Sequence, residues 1–151
     1  MINIIAIGRK HESWLVEAVE RYEKRLRAPF DIKWEFIPPS KQKGPKARDE
    51  ESERIIKALN KSQSVFILDE RGKLLDSPTL SKKLEETLHH SSRITIVIGG
   101  AYGINDDLRK RADFTWSLSP LVFPHQLVRL ILIEQIYRSQ TIVNSTPYHN
   151  T

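Results

Sequence analysis

Apolar residues along this chain alternate between short strand-like runs, the first of them β-branched, and longer segments with helical spacing. The runs at 2–7, 32–37, 65–68, 94–98 and 114–118 predict five strands. Apolar positions spaced by three and four residues predict helices over about 12–26, from about 49, over 78–88, over about 106–112, and from about 125. Alternating strands and helices predict an α/β fold with a mostly parallel sheet and helices on both faces.

Two helix starts carry specific signals. Three further acids follow Asp49, where the partial positive charge of a helix N-terminus would favour them. Ser77 followed by Pro78 predicts an N-cap and a proline at the first helical position. In the first helix, Trp14 is expected on the apolar face with Leu15 and Val19.

The length of 151 residues predicts one domain spanning 1–151. Composition is that of a globular protein, with 39% hydrophobic and 28% charged residues. No apolar stretch approaches the roughly 20 residues that a membrane-spanning helix needs, and the start lacks a signal-peptide pattern. We therefore expect a cytoplasmic protein without membrane contact.

The chain has no cysteine, which excludes disulfides, thiol nucleophiles and thiolate metal sites. Its five histidines show no helical metal-binding spacing, so we expect no metal. The glycine patterns of nucleotide-binding loops are absent, as is the G-x-S-x-G motif of serine hydrolases.

Net charge is +5, and cations concentrate in one segment. Residues 38–48 hold four cations, three prolines, one glycine and no acid, which predicts a basic loop rather than a helix or central strand. The four cations are Lys41, Lys43, Lys46 and Arg48. With Arg9 and Lys10 they are candidates for binding RNA phosphates, and the alternative is a solvated loop.

Ligands of open parallel sheets bind beyond the carboxyl ends of the strands. Three predicted loops there have unusual sequences: 68–73, 99–103 and 117–124. Gly99 and Gly100 would let a ligand approach the backbone closely, although a glycine cluster can also form only a tight turn.

The last helix is apolar on nearly every side between Leu127 and Tyr137, so it must be buried on more than one side. A partner subunit in a homodimer would cover it, and the alternative is a central helix of a monomer. Arg129 is the only charged residue between Ser119 and Ile133 and needs an anion or carbonyl partner, for which a ligand or Glu134 are candidates.

Four motifs in order resemble the RlmH (YbeA-like) family of the SPOUT superfamily. They are Leu68-Asp-Glu-Arg-Gly-Lys73, Val97-Ile-Gly-Gly-x-x-Gly103, Ser117-Leu-Ser119 running into Phe123-Pro-His-Gln-Leu-Val-Arg129, and Glu134-Gln-Ile-Tyr-Arg138 before Pro147-Tyr-His149. Members use S-adenosyl-L-methionine to methylate N3 of a pseudouridine in 23S ribosomal RNA of the large subunit. The resemblance also implies a homodimer and a C-terminal trefoil knot, which pattern alone would not predict.

Carried over by position, the resemblance implies a cofactor site in the knot. Its residues would be Leu68, Gly99, Gly100, Leu118, Ser119, Pro120, Leu121, Val122 and Phe123. One departure concerns the tail, where Asn150-Thr151 stands in place of the basic residue that usually follows Tyr-His.

The expected chemistry assigns roles to four further residues. His149 and His125 are candidate bases for removing the N3 proton, with Tyr148 and Arg129 as orienting or anion-stabilising groups. Alternatively, His125 caps the last helix and Tyr148 packs the tail. Two rival functions are a SPOUT enzyme acting on transfer RNA and a non-catalytic ribosome-binding factor.

Overall fold

A computed structural model describes residues 1–59, 61 and 63–150 of the chain. Strands and helices alternate throughout. In chain order they are β1 Ile2–Ile7, α1 Ser13–Glu23, β2 Ile32–Ile37, α2 Gly44–Ala58, β3 Ser64–Leu74, α3 Ser77–His90, β4 Ile94–Ile98, α4 Asp106–Arg111, β5 Phe114–Ser117 and α5 His125–Val143.

The five strands form one sheet in the order β2-β1-β4-β3-β5, with every neighbouring pair parallel. β1 and β4 occupy the middle, and all their residues are buried, as expected for strands covered on both faces. Parallel pairing places the carboxyl ends of all five strands at one edge of the sheet. The predicted α/β fold is confirmed.

Helices cover both faces of this sheet, as predicted. One core contains Leu15 of α1, Leu84 of α3 and Leu132 of α5, packed on one face. The other core contains Ile55 of α2 and Leu108 of α4 on the opposite face. Alternating side chains of the strands supply both cores.

The predicted start of α2 is wrong. The helix begins at Gly44, with Pro45 in its first turn, so Lys46 and Arg48 are helical and no acid lies in that turn. Proline is well suited to this place because the first amides of a helix have no partner within it. The sequence 38–48 is therefore a loop only as far as Lys43.

Two predictions around β3 are also wrong. The strand continues to Leu74, so the predicted loop 68–73 is an irregular part of β3, in which Leu68 and Lys73 both pair with Trp116. The N-cap of α3 is Asp76 rather than Ser77, because the Asp76 carboxylate accepts the Thr79 amide at 2.8 Å.

α5 packs against α1 and α3 and carries the buried side chains Leu132, Ile133 and Ile136. Its residues Leu130 and Ile131 are half-buried. Trp14, expected in the core, is instead 55% exposed on α1. Across the described residues, none of the helices has the length and apolar character needed to cross a membrane.

Candidate active site

A cleft of about 790 Å³ lies at the carboxyl edge of the sheet, where β3, β4 and β5 end. The predicted cofactor residues that line it are Leu68, Gly99, Gly100, Leu118, Ser119, Leu121, Val122 and Phe123. Pro120, between two of them, is outside the lining. The structure thus brings together residues from β3 and from the loops that follow β4 and β5.

The glycine segment forms one wall of the cleft. The Gly103 amide donates to the Gly100 carbonyl at 3.1 Å, and Gly103 has a φ of 78°, which favours glycine. A side chain on Gly100 would overlap the buried carboxylate of Glu51. The segment therefore makes the tight turn considered from the sequence and also lines the cleft.

His125 joins the start of α5 to the end of β4. Its Nε2 lies 2.7 Å from the Gly99 carbonyl oxygen. Because a carbonyl only accepts, Nε2 carries the proton. Burial lowers the pKa of His125 and outweighs the bond to Gly99, which raises it, while Arg129 adds a smaller lowering effect, so the ring is neutral at pH 7. The ring bonds to β4 rather than capping its own helix.

Arg129, one turn further along α5, is fully buried. Its NH1 donates to the Arg9 carbonyl at 3.0 Å, and its guanidinium carbon lies 5.1 Å from the centre of the Phe36 ring. Within the described part of the chain, its Nε and NH2 have no hydrogen-bond partner. A carbonyl is therefore its partner, and the suggested pairing with Glu134 is wrong because Glu134 bonds Arg138 instead.

A charged pair also lines the cleft. Asp69 Oδ2 lies 2.5 Å from Arg109 NH1, which projects from α4. Burial raises the pKa of Asp69, but the Arg71 amide and the Arg109 guanidinium outweigh it and hold that pKa below its ordinary value. Asp69 is consequently a carboxylate at neutral pH.

The basic residues lie at the same edge as the cleft, beside it. Lys41 and Lys43 follow β2, Arg9 and Lys10 follow β1, and all four are exposed. Because β2 and β1 precede β4 and β3 in the sheet, these cations continue the edge that carries the cleft. Arg48 of α2 reaches the cleft and lines it.

A match over nearly the whole chain identifies the family. A family model described as "Predicted SPOUT methyltransferase" matches residues 1–149. The chain belongs to the SPOUT methyltransferase family.

Several relatives bear the same name, ribosomal RNA large subunit methyltransferase H. One from Bdellovibrio bacteriovorus is 42% identical over 92% of both chains. Others from Acetivibrio thermocellus and Desulfitobacterium hafniense (strain DSM 10664 / DCB-2) are 40% and 38% identical over 98% of both chains. The family resemblance found in the sequence is confirmed.

In this SPOUT methyltransferase the tail lies away from the cleft of its own chain. Tyr148 donates to Glu134 Oε1 at 3.2 Å, and His149 Nδ1 lies 3.2 Å from Arg138 NH1. Arg138 is about 20 Å along α5 from His125, at 1.5 Å per residue. The four candidate catalytic residues therefore form two separate pairs within one chain, His125 with Arg129 and Tyr148 with His149.

The contacts of Tyr148 and His149 indicate where their protons lie. Burial raises the pKa of Tyr148, and the Tyr22 hydroxyl and Glu134 raise it further, so its hydroxyl stays protonated at neutral pH. A guanidinium only donates, so Nδ1 of His149 accepts and Nε2 holds its ring proton. Thr151 lies outside the described residues, and Asn150 is exposed.

Sequence reasoning missed three residues at the cleft: Glu51 behind Gly100, and Asn105 and Arg109 in the lining; it had assigned Arg48, which also lines the cleft, only to RNA binding. One signal was available for Glu51. It falls between Ala47 and Ile55 at intervals of four, on the buried face of α2. Among the described residues, His, Asp and Glu form no group of three or more that could hold a metal ion.

We expect this methyltransferase to lose stability in acid through His11. The His11 ring packs edge-on against Trp34, and burial together with Arg129 lowers its pKa from 6.5 to about 4. Between those values the unfolded chain binds the extra proton, so the free energy of unfolding falls as pH drops. His11→Gln should reduce this slope, measured by urea unfolding from pH 7 to pH 4.

His89→Gln, at the exposed end of α3, is the matched control and should keep the wild-type slope. His125 acts in the same direction and leaves part of the slope in the His11 variant. Equal slopes for wild type and His11→Gln would contradict the assignment.

Proposed function

We propose that this protein is an S-adenosyl-L-methionine-dependent methyltransferase that methylates N3 of a pseudouridine in large-subunit (23S) ribosomal RNA on the assembled ribosome. The observation that carries the proposal is the near full-length match to large-subunit methyltransferases. The convergence of the predicted cofactor loops on one cleft supports it.

The residues of the cleft fit this cofactor. A volume of about 790 Å³ is within the range of small-molecule sites. Gly99 and Gly100 leave backbone accessible, while Leu118 and Phe123 offer apolar cover for a purine. The Asp69 carboxylate suits a ligand with an ammonium and a sulfonium. The bound cofactor supplies an electrophilic methyl group.

Positioning is the main task of the protein in a methyl transfer, because attack occurs in line with the bond to sulfur. The Gly99–His125 bond connects the loop after β4 to α5 and so holds two walls of the cleft at a set separation. The exposed cations beside the cleft would bind phosphates and direct a nucleotide toward it. Extrusion of the base exposes N3, which lies on the pairing edge.

Removal of the N3 proton needs a base or an anion-stabilising group. His149 is the candidate base; because Nε2 carries the ring proton and Nδ1 accepts from Arg138, this role requires release of the Arg138 bond so that Nδ1 can take the N3 proton. Tyr148 stays protonated and can only donate or orient. His125 and Arg129 hold the cleft and the β1 loop in place. Within one chain the tail is distant from the cleft, so a role in transfer would require a second copy.

We propose a homodimer in which apolar surface near the cleft and α5 is covered. Leu121 and Val122 are 69% and 82% exposed, and Trp14 adds a further exposed ring. A symmetric partner is the commonest way to bury such a surface. The proposal includes one methyltransferase domain over 1–151 and a cytoplasmic location, where ribosomes are.

The trefoil knot is part of the same proposal. β5 lies at the edge of the sheet, whereas the start of α5 bonds the ends of β4 and β1. The connection 118–124 must therefore cross the ends of β3 and β4. Such a crossing supports a threaded chain. Because knots are rare in proteins, the proposal of a knot also depends on the family resemblance that implies one.

The decisive experiment measures transfer of labelled methyl from S-adenosyl-L-methionine to ribosomes that lack the modification, with transfer RNA in parallel. We expect label in large-subunit RNA as N3-methylpseudouridine. Label only in transfer RNA would favour the other SPOUT activity. Cofactor binding without any transfer would favour a ribosome-binding factor.

RNA binding by the basic residues predicts a specific salt dependence. Log affinity falls with log salt concentration because each phosphate contact releases a counterion. Replacing Lys41, Lys43, Lys46 and Arg48 by Ala should reduce the magnitude of this negative slope by about 3. The measurement is ribosome binding at several salt concentrations.

The control removes four exposed cations from other surfaces, namely Arg21, Lys24, Lys82 and Arg93. This variant should keep the wild-type slope. An unchanged slope in the first variant would exclude its four cations from RNA binding.

The tail prediction concerns His149. His149→Ala should lower turnover about 100-fold or more if this histidine is the base, while cofactor affinity stays unchanged because the residue is outside the cleft. Single-turnover methyl transfer and calorimetric cofactor binding measure the two quantities. His90→Ala, at the end of α3, is the control, and full turnover by His149→Ala would refute the role.

A further inference from the structure

Helix α2 buries a carboxylate that the proposed chemistry does not use. Glu51 is only 4% exposed, whereas the side chains of Glu50 and Glu53 in the same helix are 39% and 67% exposed. Its Oε2 accepts the Ser40 amide at 2.9 Å. In the described part of the structure, its Oε1 has no hydrogen-bond partner. Burying a carboxylate oxygen without a hydrogen-bond partner lowers the stability of a protein, so the contacts of Glu51 need an explanation.

On one side Glu51 contacts the cleft wall. Its Oε1 occupies the space that a side chain on Gly100 would fill. The next residue of α2, Ser52, accepts the Asn105 amide at 3.0 Å through its hydroxyl. Two consecutive residues of α2 therefore contact both ends of segment 100–105, which lines the cleft.

On the other side Glu51 holds the basic loop, residues 38–43. Besides the bond from Ser40 to Glu51, Arg54 of α2 donates to the Pro38 carbonyl at 2.7 Å. The Ser40 hydroxyl accepts the Gln42 amide at 3.0 Å, which shapes the loop between Lys41 and Lys43. The orientation of both lysines therefore depends on where Glu51 holds Ser40.

We propose that Glu51 is a positioning residue that couples the basic loop to segment 100–105 of the cleft. Cofactor binding against Gly100 then orders the Ser40 contact, and RNA binding at the basic loop orders the cleft wall. Coupling between two binding sites is reciprocal by thermodynamic necessity. This inference rests on the proposed function, which supplies the two ligands.

A purely structural role for Glu51 makes different predictions. It would affect the stability of α2 and the loop, but ligand binding in the cleft would not reach Ser40. The amide of Ser40 is therefore the discriminating probe. It belongs to the basic loop and not to the cleft lining, so a response there reports transmission through the protein.

The test is an NMR titration of the ¹⁵N-labelled full chain with S-adenosylhomocysteine, which cannot transfer a methyl group. In the wild type we expect the amides of Gly100, Gly103 and Asn105 to shift together with that of Ser40. No response at the cleft would overturn the proposed cofactor and the coupling together. A cleft response without one at Ser40 would overturn the coupling alone.

Variants then test whether Glu51 carries the signal. Glu51→Met fills similar space without an acceptor, so the Ser40 response should fall about fivefold or more while the cleft responds as before. Glu51→Gln keeps an amide oxygen for Ser40 and should restore the response. Glu53→Met, on the exposed side of α2, is the matched control and should behave like wild type.

Ribosome affinity provides a second readout. Saturating S-adenosylhomocysteine should change the affinity of the wild type for unmodified ribosomes about fivefold or more, and this change should vanish in Glu51→Met but not in Glu53→Met. Equal changes in all three proteins would overturn the proposal. The wild-type titration needs no variant, so it remains decisive even if Glu51→Met fails to fold.

Discussion

The position of α5 depends on a buried cation. Arg129 lies in a helix that is otherwise apolar there, and removing a guanidinium from water is expensive unless polar groups compensate it. The Arg9 carbonyl and the face of Phe36 provide part of that compensation at the ends of β1 and β2. Since the compensation exists only in this arrangement, the first turns of α5 are held at the carboxyl edge of the sheet.

The rest of the site follows from that placement. With α5 at this edge, His125 meets the Gly99 carbonyl, and the connection from β5 is drawn across the ends of β3 and β4. The cleft is the space left between that connection and the loop after β4. The cations after β1 and β2 continue the same edge, and α2 contacts both regions through Glu51. Methyl transfer depends on positioning, and the contacts of His125 and Glu51 fix the parts of the protein that would position the reactants.

Predictions from the sequence succeeded where local pattern and burial agree. The bounds of β1 and β4 were predicted correctly because buried parallel strands appear as nearly continuous apolar, largely β-branched runs, and those of the edge strand β2 because apolar residues alternate there with Lys33 and Glu35. They failed where neighbours decide the local structure. Gly44 and Pro45 suggested a loop yet begin α2, and β3 continues past Leu68 because β5 pairs with it again at Lys73. Trp14 is likewise exposed because it lies on a side of α1 that the tertiary structure leaves uncovered.

By itself, the sequence determined the α/β class, the three segments of the candidate site and the family, since these depend on residue types and on their order along the chain. Only the tertiary structure decided which groups meet. It paired Arg129 with a carbonyl rather than with Glu134, placed the Tyr148–His149 tail beside Arg138, about 20 Å along α5 from His125, and buried Glu51 behind Gly100. Contacts between residues so distant in the chain are set by packing, which no local pattern records.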